Sequence, residues 1–127
     1  SNELDGAGNV EVRGWVDHAA LMPQMDLLIG HGGHSTTLKA LAHGIPVLVM
    51  PVNPVSDEAG IGDVLRERGL GMRVRPSARP RRLAAAVTSL LTDSTVRENA
   101  ASQGRRLRAL RPGAAVAADH IARLTAE

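Results

Sequence analysis

The spacing of apolar residues changes about two thirds of the way along this chain, and the change predicts its organisation. In the first 78 residues, short apolar runs alternate with amphipathic ones. Val10–Gly14 (VEVRG) alternates apolar and polar residues, the period of a half-buried strand. His18–Gln24 reads as a short helix or turn, and Asp26–Gly30 (DLLIG) as a compact strand ending in glycine. Ser35–His43 (STTLKALAH) has helical spacing, with Leu38, Leu41 and Ala42 on one face and Gly44 as its stop. Val47–Met50, set between Pro46 and Pro51, is a fully buried strand candidate. Glu58–Arg68 follows as a helix closed by Gly69, and Gly71–Arg75 as another short strand. Strands alternating with helices imply a parallel sheet joined by right-handed crossovers.

From Arg79 onward the pattern is helical. Leu83, Val87, Leu90 and Leu91 make one apolar face. Val96–Leu110 and Ala114–Leu124 supply two further helices, parted by the Pro112-Gly113 break. Thr95 or Ser94, followed by Glu98, has the form of a capping box. The expected fold class is α/β: a parallel sheet with flanking helices and a C-terminal helical segment. A length of 127 residues fits one domain, with residues 1–78 as the α/β portion and residues 79–127 as the helical portion.

Composition narrows the functions available. Trp15 is the only aromatic residue besides histidine, so the core must be aliphatic. The lack of cysteine excludes a disulfide framework and thiolate chemistry. No run is long and apolar enough to span a membrane and no signal peptide is visible, so a soluble, cytoplasmic protein is expected. The net charge of +2 is unevenly spread: residues 1–65 hold two basic side chains against eight acidic ones, residues 66–127 thirteen arginines against five acids. Such asymmetry can mark nucleic-acid binding. Here arginine stands in for lysine almost everywhere, on helices that also carry apolar faces. A solvated surface is the simpler reading, and no nucleic-acid partner is expected.

The chemistry concentrates in Asp26–Asp57. An apolar strand runs into His31-Gly32-Gly33 and then into a helix start rich in hydroxyls. Glycines let the backbone approach a ligand closely, and the unpaired N–H groups of a helix start attract anions. Ser35, Thr36 and Thr37 add hydroxyl donors, and His31 adds another. A diphosphate is the natural guest, since open α/β sheets bind ligands at the carboxyl ends of their strands. The bland alternative is a tight turn followed by a capped helix. An esterase oxyanion hole is excluded by the lack of a G-x-S-x-G elbow. Neither a Walker A loop nor a G-x-G-x-x-G fingerprint is present.

The string Trp15-Val16-Asp17-His18, then HGGHSTTLKALAHGIPVLVMP, then Asp57-Glu58, resembles the donor-binding signature of nucleotide-sugar-dependent glycosyltransferases of the two-Rossmann-domain (GT-B) type. It is most like the bacterial enzymes that decorate macrolides and other natural products. The match runs from about Trp15 to Gly71. The resemblance implies a Rossmann-like sheet and a nucleotide sugar as ligand. It implies that Trp15 stacks on the donor base, with Val16 bonding the base edge through its backbone. His31, Gly32, Gly33, Ser35 and Thr36 would hold the diphosphate. His31 would also neutralise charge on the departing nucleotide, an electrostatic role. Asp57 and Glu58 fall where the family places an acidic residue and a glutamine that bind sugar hydroxyls. Asp57 stands twelve positions before Gly69, the family's usual spacing. No metal and no cofactor is implied.

The departures matter too. Asp17 and His18 replace a Pro-Gln pair common in relatives, and two extra residues lie between Pro51 and Asp57. Glu58 replaces the glutamine. Lys39 stands in the ribose region, where many relatives carry a glutamate. A lysine cannot clamp a diol as a carboxylate does, so the expected donor is a thymidine or uridine diphosphate sugar, and the lack of a 2′-hydroxyl on thymidine makes a thymidine donor a hypothesis to test.

In this family the acceptor site and the catalytic base lie in an N-terminal domain, which makes that domain an expected partner and leaves no catalytic residue here. Val10–Gly14 would match the family's third strand, so the resemblance implies a sheet truncated at its N-terminus, with unpaired central edges. Either Val10–Gly14 re-pairs with a neighbour or two chains form a homodimer through the exposed sheet edge. The leading expectation is the donor-binding half of a glycosyltransferase, inactive alone. The alternatives are a non-catalytic nucleotide- or protein-binding module and a fragment of a sugar-nucleotide 2-epimerase.

Overall fold

A computed structural model of the chain describes residues 8–126. The first seven residues of the 1–78 portion and Glu127 lie outside the described residues.

Short apolar runs become strands and longer periodic segments become helices. α1 (His18–Leu21) runs into a 3-10 turn (Met22–Gln24), followed by β1 (Leu28–Gly30), α2 (His34–Ala42), β2 (Val47–Val49), α3 (Glu58–Glu67) and β3 (Gly71–Arg73). α4 (Pro80–Thr92), α5 (Ser94–Ala109) and α6 (Gly113–Thr125) complete the order. The strands form one parallel sheet in the order β1-β2-β3, with Leu28 opposite Val47 and Val47 opposite Gly71. Gly30, Val49 and Arg73 therefore end their strands at one shared edge, the carboxyl edge.

β2 is covered on both sides, which is why its sequence is apolar without a break. Val47 and Val49 pack with Ala40, Leu41, Ile45, Leu65, Leu70 and Ala100, side chains from the α2, α3 and α5 layer. Leu48 points the other way and meets Val74, Ala86 and Leu90, beneath α4. α5 reaches the first layer through small residues. A Cβ on Gly104 would stand 2.8 Å from the Gly44 nitrogen and 2.9 Å from the Leu41 oxygen, so the α5 backbone rests directly on the end of α2. A turn further on, Arg108 donates to the Ala42 carbonyl, and Asn99 donates to the Gly69 carbonyl at 3.3 Å. The helical portion thus covers both faces of the sheet.

Several expectations are corrected. Val10–Gly14 is no strand, and Val10 and Val12 are exposed. It offers only two apolar side chains and joins no strand edge, and an unpaired segment of that length has nothing to hold it extended. The expected re-pairing therefore does not occur among the described residues. α2 begins at His34 and buries Thr37, Ala40 and Leu41, leaving Leu38 more than half exposed. The contact of α5 with the end of α2 sets that face, rather than the leucine spacing. In α4 the expected face holds for Leu83, Val87 and Leu90, which pack with Ala86 against the core, whereas Leu91 is exposed. α5 is capped by neither Ser94 nor Thr95: the Asp93 carboxylate accepts from Thr95 N at 2.9 Å and Val96 N at 3.3 Å. α6 buries none of its residues. Among the described residues no helix is long and apolar enough to cross a membrane.

Candidate functional site

After β1 the chain turns through His31-Gly32-Gly33 into α2. Gly32 has φ of 96°, and a Cβ there would lie 3.0 Å from both the Glu58 carbonyl oxygen and Val49 Cγ1. Both the dihedral and the space demand glycine, and the loop is drawn against the end of β2 and the start of α3. Gly33 is the N-cap and has no side chain to satisfy the helix. The first helical bond from this carbonyl is Thr37 N to Gly33 O, at 3.0 Å. The N–H groups of His34, Ser35 and Thr36 precede it and open at the carboxyl edge, where the helix dipole favours negative charge. Ser35 is exposed and Thr36 half-buried beside them, whereas Thr37 is buried.

The opposite wall comes from α3. Asp57 is its N-cap residue, with an exposed side chain whose Oδ2 lies 3.7 Å from His34 Nε2. Glu58 turns inward, its side chain only 13% exposed. Its Oε2 accepts from Val52 N at 3.0 Å and Asn53 N at 2.9 Å, and its Oε1 lies 2.9 Å from His31 Nδ1. The Asn53 N–H, with smaller help from His31 and the Val52 N–H, holds the Glu58 carboxyl below the usual carboxylate range against the opposing effect of burial. The pair named from sequence thus divides: Asp57 faces solvent and Glu58 ties the glycine loop to the Val52–Asn53 loop. Sequence reasoning missed that tie, because His31 and Glu58 are 27 positions apart and only the crossover brings them together.

Trp15 stands apart from the core, with 81% of its surface exposed. It lines a cleft of about 540 Å³ with Val16, Asp17, His18 and Lys39. The Asp17 carboxylate caps α1 by accepting from Ala19 N at 3.0 Å, which fixes the turn carrying Trp15. Lys39 arrives from α2, one turn beyond Ser35 on the same helix face. A single face of α2 therefore leads from the diphosphate candidates to the base candidate. On its other flank, α2 borders an apolar groove of about 430 Å³ lined by Leu38, Leu41, Ile61 and Val64, with His34 and Asp57 among its polar lining.

Known proteins resemble this chain in sequence and fold. The family described as erythromycin biosynthesis protein CIII-like, C-terminal domain, matches residues 4–123. The demethyllactenocin mycarosyltransferase of Streptomyces fradiae is 35% identical over 114 residues, which cover 89% of this chain and 24% of that protein. The structure of the spinosyn forosaminyltransferase SpnP superposes with a TM-score of 0.82 at 26% identity, covering 94% of this chain and 32% of the other. The structure of the glycosyltransferase VinC in complex with DTDP has a TM-score of 0.74 at 28% identity, covering 81% and 26%. The chain spans about a quarter of the length of the curated relatives it matches.

Proposed function

This chain belongs to the family of erythromycin biosynthesis protein CIII-like C-terminal domains, and from that membership we propose that it is the donor-binding part of a glycosyltransferase that moves a sugar from a nucleoside diphosphate to a hydroxyl of a small-molecule acceptor. One observation carries the reading: a single face of α2 joins a helix start with free N–H groups to a cleft walled by the exposed Trp15. The exposed Trp15 ring leaves its face open in the cleft, where a base can stack on it. In this reading Trp15 and Val16 receive the base and Lys39 meets the ribose. His31, Gly32, Gly33, Ser35 and Thr36 surround the diphosphate, and Asp57 meets sugar hydroxyls. Glu58 stands behind His31.

The acceptor and the catalytic base belong to an N-terminal partner domain, and the work takes place in the cytoplasm. Thymidine is the favoured base because Lys39 offers no carboxylate to a ribose diol; the relative VinC was crystallised with DTDP. The diphosphate charge is met by amides, hydroxyls and His31, so chelation with EDTA is expected to leave nucleotide affinity unchanged. The test is calorimetric titration of the chain with thymidine and uridine diphosphates, in wild type and His31→Ala. Saturable binding that the variant loses, with thymidine diphosphate the tighter, is the expected result. No binding at millimolar ligand removes the reading, and tighter binding of the uridine analogue removes the thymidine assignment.

A further inference from the structure

We propose that Glu58 presets the proton on His31, so that His31 bonds a diphosphate only with a proton taken up at its Nε2. The inference rests on the donor-site reading above and deepens it. Nothing in the family pattern assigns this role to Glu58, whose position otherwise belongs to a glutamine facing the sugar.

An ionised carboxylate only accepts hydrogen bonds. Glu58 Oε2 is committed to the Val52 and Asn53 N–H groups, and Oε1 faces His31 Nδ1 at 2.9 Å. The same N–H groups hold the carboxyl below its usual range, which keeps it ionised. Nδ1 must therefore carry the hydrogen. A neutral imidazole has only one, so Nε2 is left as a bare acceptor.

Nε2 lies over the start of α2, where a Cβ on Gly33 would come within 3.3 Å of it. This is the same place the diphosphate is proposed to occupy, and phosphate oxygens are acceptors too. Two acceptors do not bond. Nε2 meets a phosphate only after gaining a proton, which leaves an imidazolium between two anions, in the charge-assisted form of hydrogen bond. The titratable groups close by are Glu58 itself and, on the adjoining helix starts, His34 and Asp57, whose Nε2 and Oδ2 lie 3.7 Å apart. Lys39 lies a turn further along α2, in the Trp15 cleft.

Glutamine at position 58 would behave differently. Its carboxamide carries donors as well as an acceptor, so it can donate to Nδ1 and leave Nε2–H free to donate to phosphate without any added proton. Glu58 is thus a positioning residue that acts through His31, and the difference between carboxylate and amide is what the experiment reads.

The experiment is calorimetry of thymidine diphosphate binding to the full chain, in buffers of different ionisation enthalpy, at about pH 8, where an ordinary imidazole is neutral. Wild type is expected to take up about one proton per ligand bound, and Glu58→Gln well under half of that. His34→Ala, as a control, is expected to retain the wild-type uptake. Nitrogen-15 NMR of the free wild-type chain supplies a readout that needs neither ligand nor variant: neutral His31 is expected as the Nδ1–H tautomer. Binding without proton uptake, equal uptake in wild type and Glu58→Gln, or an Nε2–H tautomer in the free chain overturns the inference while the donor site stands. Failure of wild type to bind the nucleotide at all overturns the donor-site reading and this inference together.

Discussion

Trp15 and Glu58 show two opposite uses of a single side chain. Trp15 contributes little to the core, since 81% of it is in solvent. Trp15→Ala is therefore expected to change stability by less than about 0.5 kcal/mol, as surface substitutions do. Its loss from the cleft should weaken nucleoside diphosphate binding by roughly tenfold or more, the worth of one stacked base. Thermal unfolding and calorimetric titration of the same variant check both halves. Glu58 is the reverse, a side chain bound into its surroundings. Its carboxyl is held below the usual range by the Asn53 N–H first of all. A depressed value means that the stabilisation is complete above the unfolded-state value and is lost as pH falls through the folded one. Wild type should lose stability on acidification below the ordinary carboxylate range. Glu58→Gln, with nothing to titrate, should be less stable at neutral pH and show a flatter profile there; chemical denaturation at stepped pH reads the two curves. A parallel fall of both would exclude the role. The glycines, hydroxyls and Trp15 of the candidate site were legible in the sequence because each has a local chemical signature. The His31–Glu58 contact was not, because it exists only once β1, β2 and their crossovers are in place.

At the scale of elements, close approach and capping decide more than apolar periodicity. α5 sits on α2 through Ala100 and Gly104, and a methyl group at Gly104 would press on the backbone of Leu41 and Gly44. Backbone cannot yield as a flexible side chain does. Gly104→Ala is expected to cost about 1–3 kcal/mol as an overpacked contact, although alanine is the better helix former. An unchanged or raised melting temperature would contradict the packing described. Asp93→Ala removes the cap of α5 and should cost about 1 kcal/mol, whereas Ser94→Ala, at the residue the sequence pattern offered as a cap, should cost far less. Comparing the two variants by urea denaturation separates the assignments. The strands β1, β2 and β3 and the helix stops at Gly44 and Gly69 were legible because glycine, proline and apolar runs act locally. The exposed Leu38 and the unpaired Val10–Gly14 were not, since each depends on which neighbour is present to bury it.

The whole molecule is a parallel sheet with unlike edges. β3 ends in Arg73, and Arg66, Arg73, Arg75, Arg79 and Arg82 line one cleft beside it. Clustered charge of this kind discourages a further strand from adding. β1 (Leu28-Ile29-Gly30) carries no charge, and Ile29 is 47% exposed on the face shared with Leu48. The isolated chain is therefore expected to form a homodimer through β1 at raised concentration, and Ile29→Lys to return it to monomer; sedimentation velocity distinguishes the two. Lopsided charge was visible in the sequence, but its meaning was not, because only the fold gathers five arginines along one edge.

The carboxyl edge is proposed to bind a nucleoside diphosphate against Trp15. Trp15 is the only tryptophan in the chain, so its fluorescence reports on one place. Titration with thymidine diphosphate, read by that fluorescence, is predicted to give saturable quenching that His31→Ala abolishes. Thymidine without its phosphates should quench far more weakly at the same concentrations. An emission unchanged by millimolar thymidine or uridine diphosphate, corrected for absorbance, would contradict nucleotide binding at this edge.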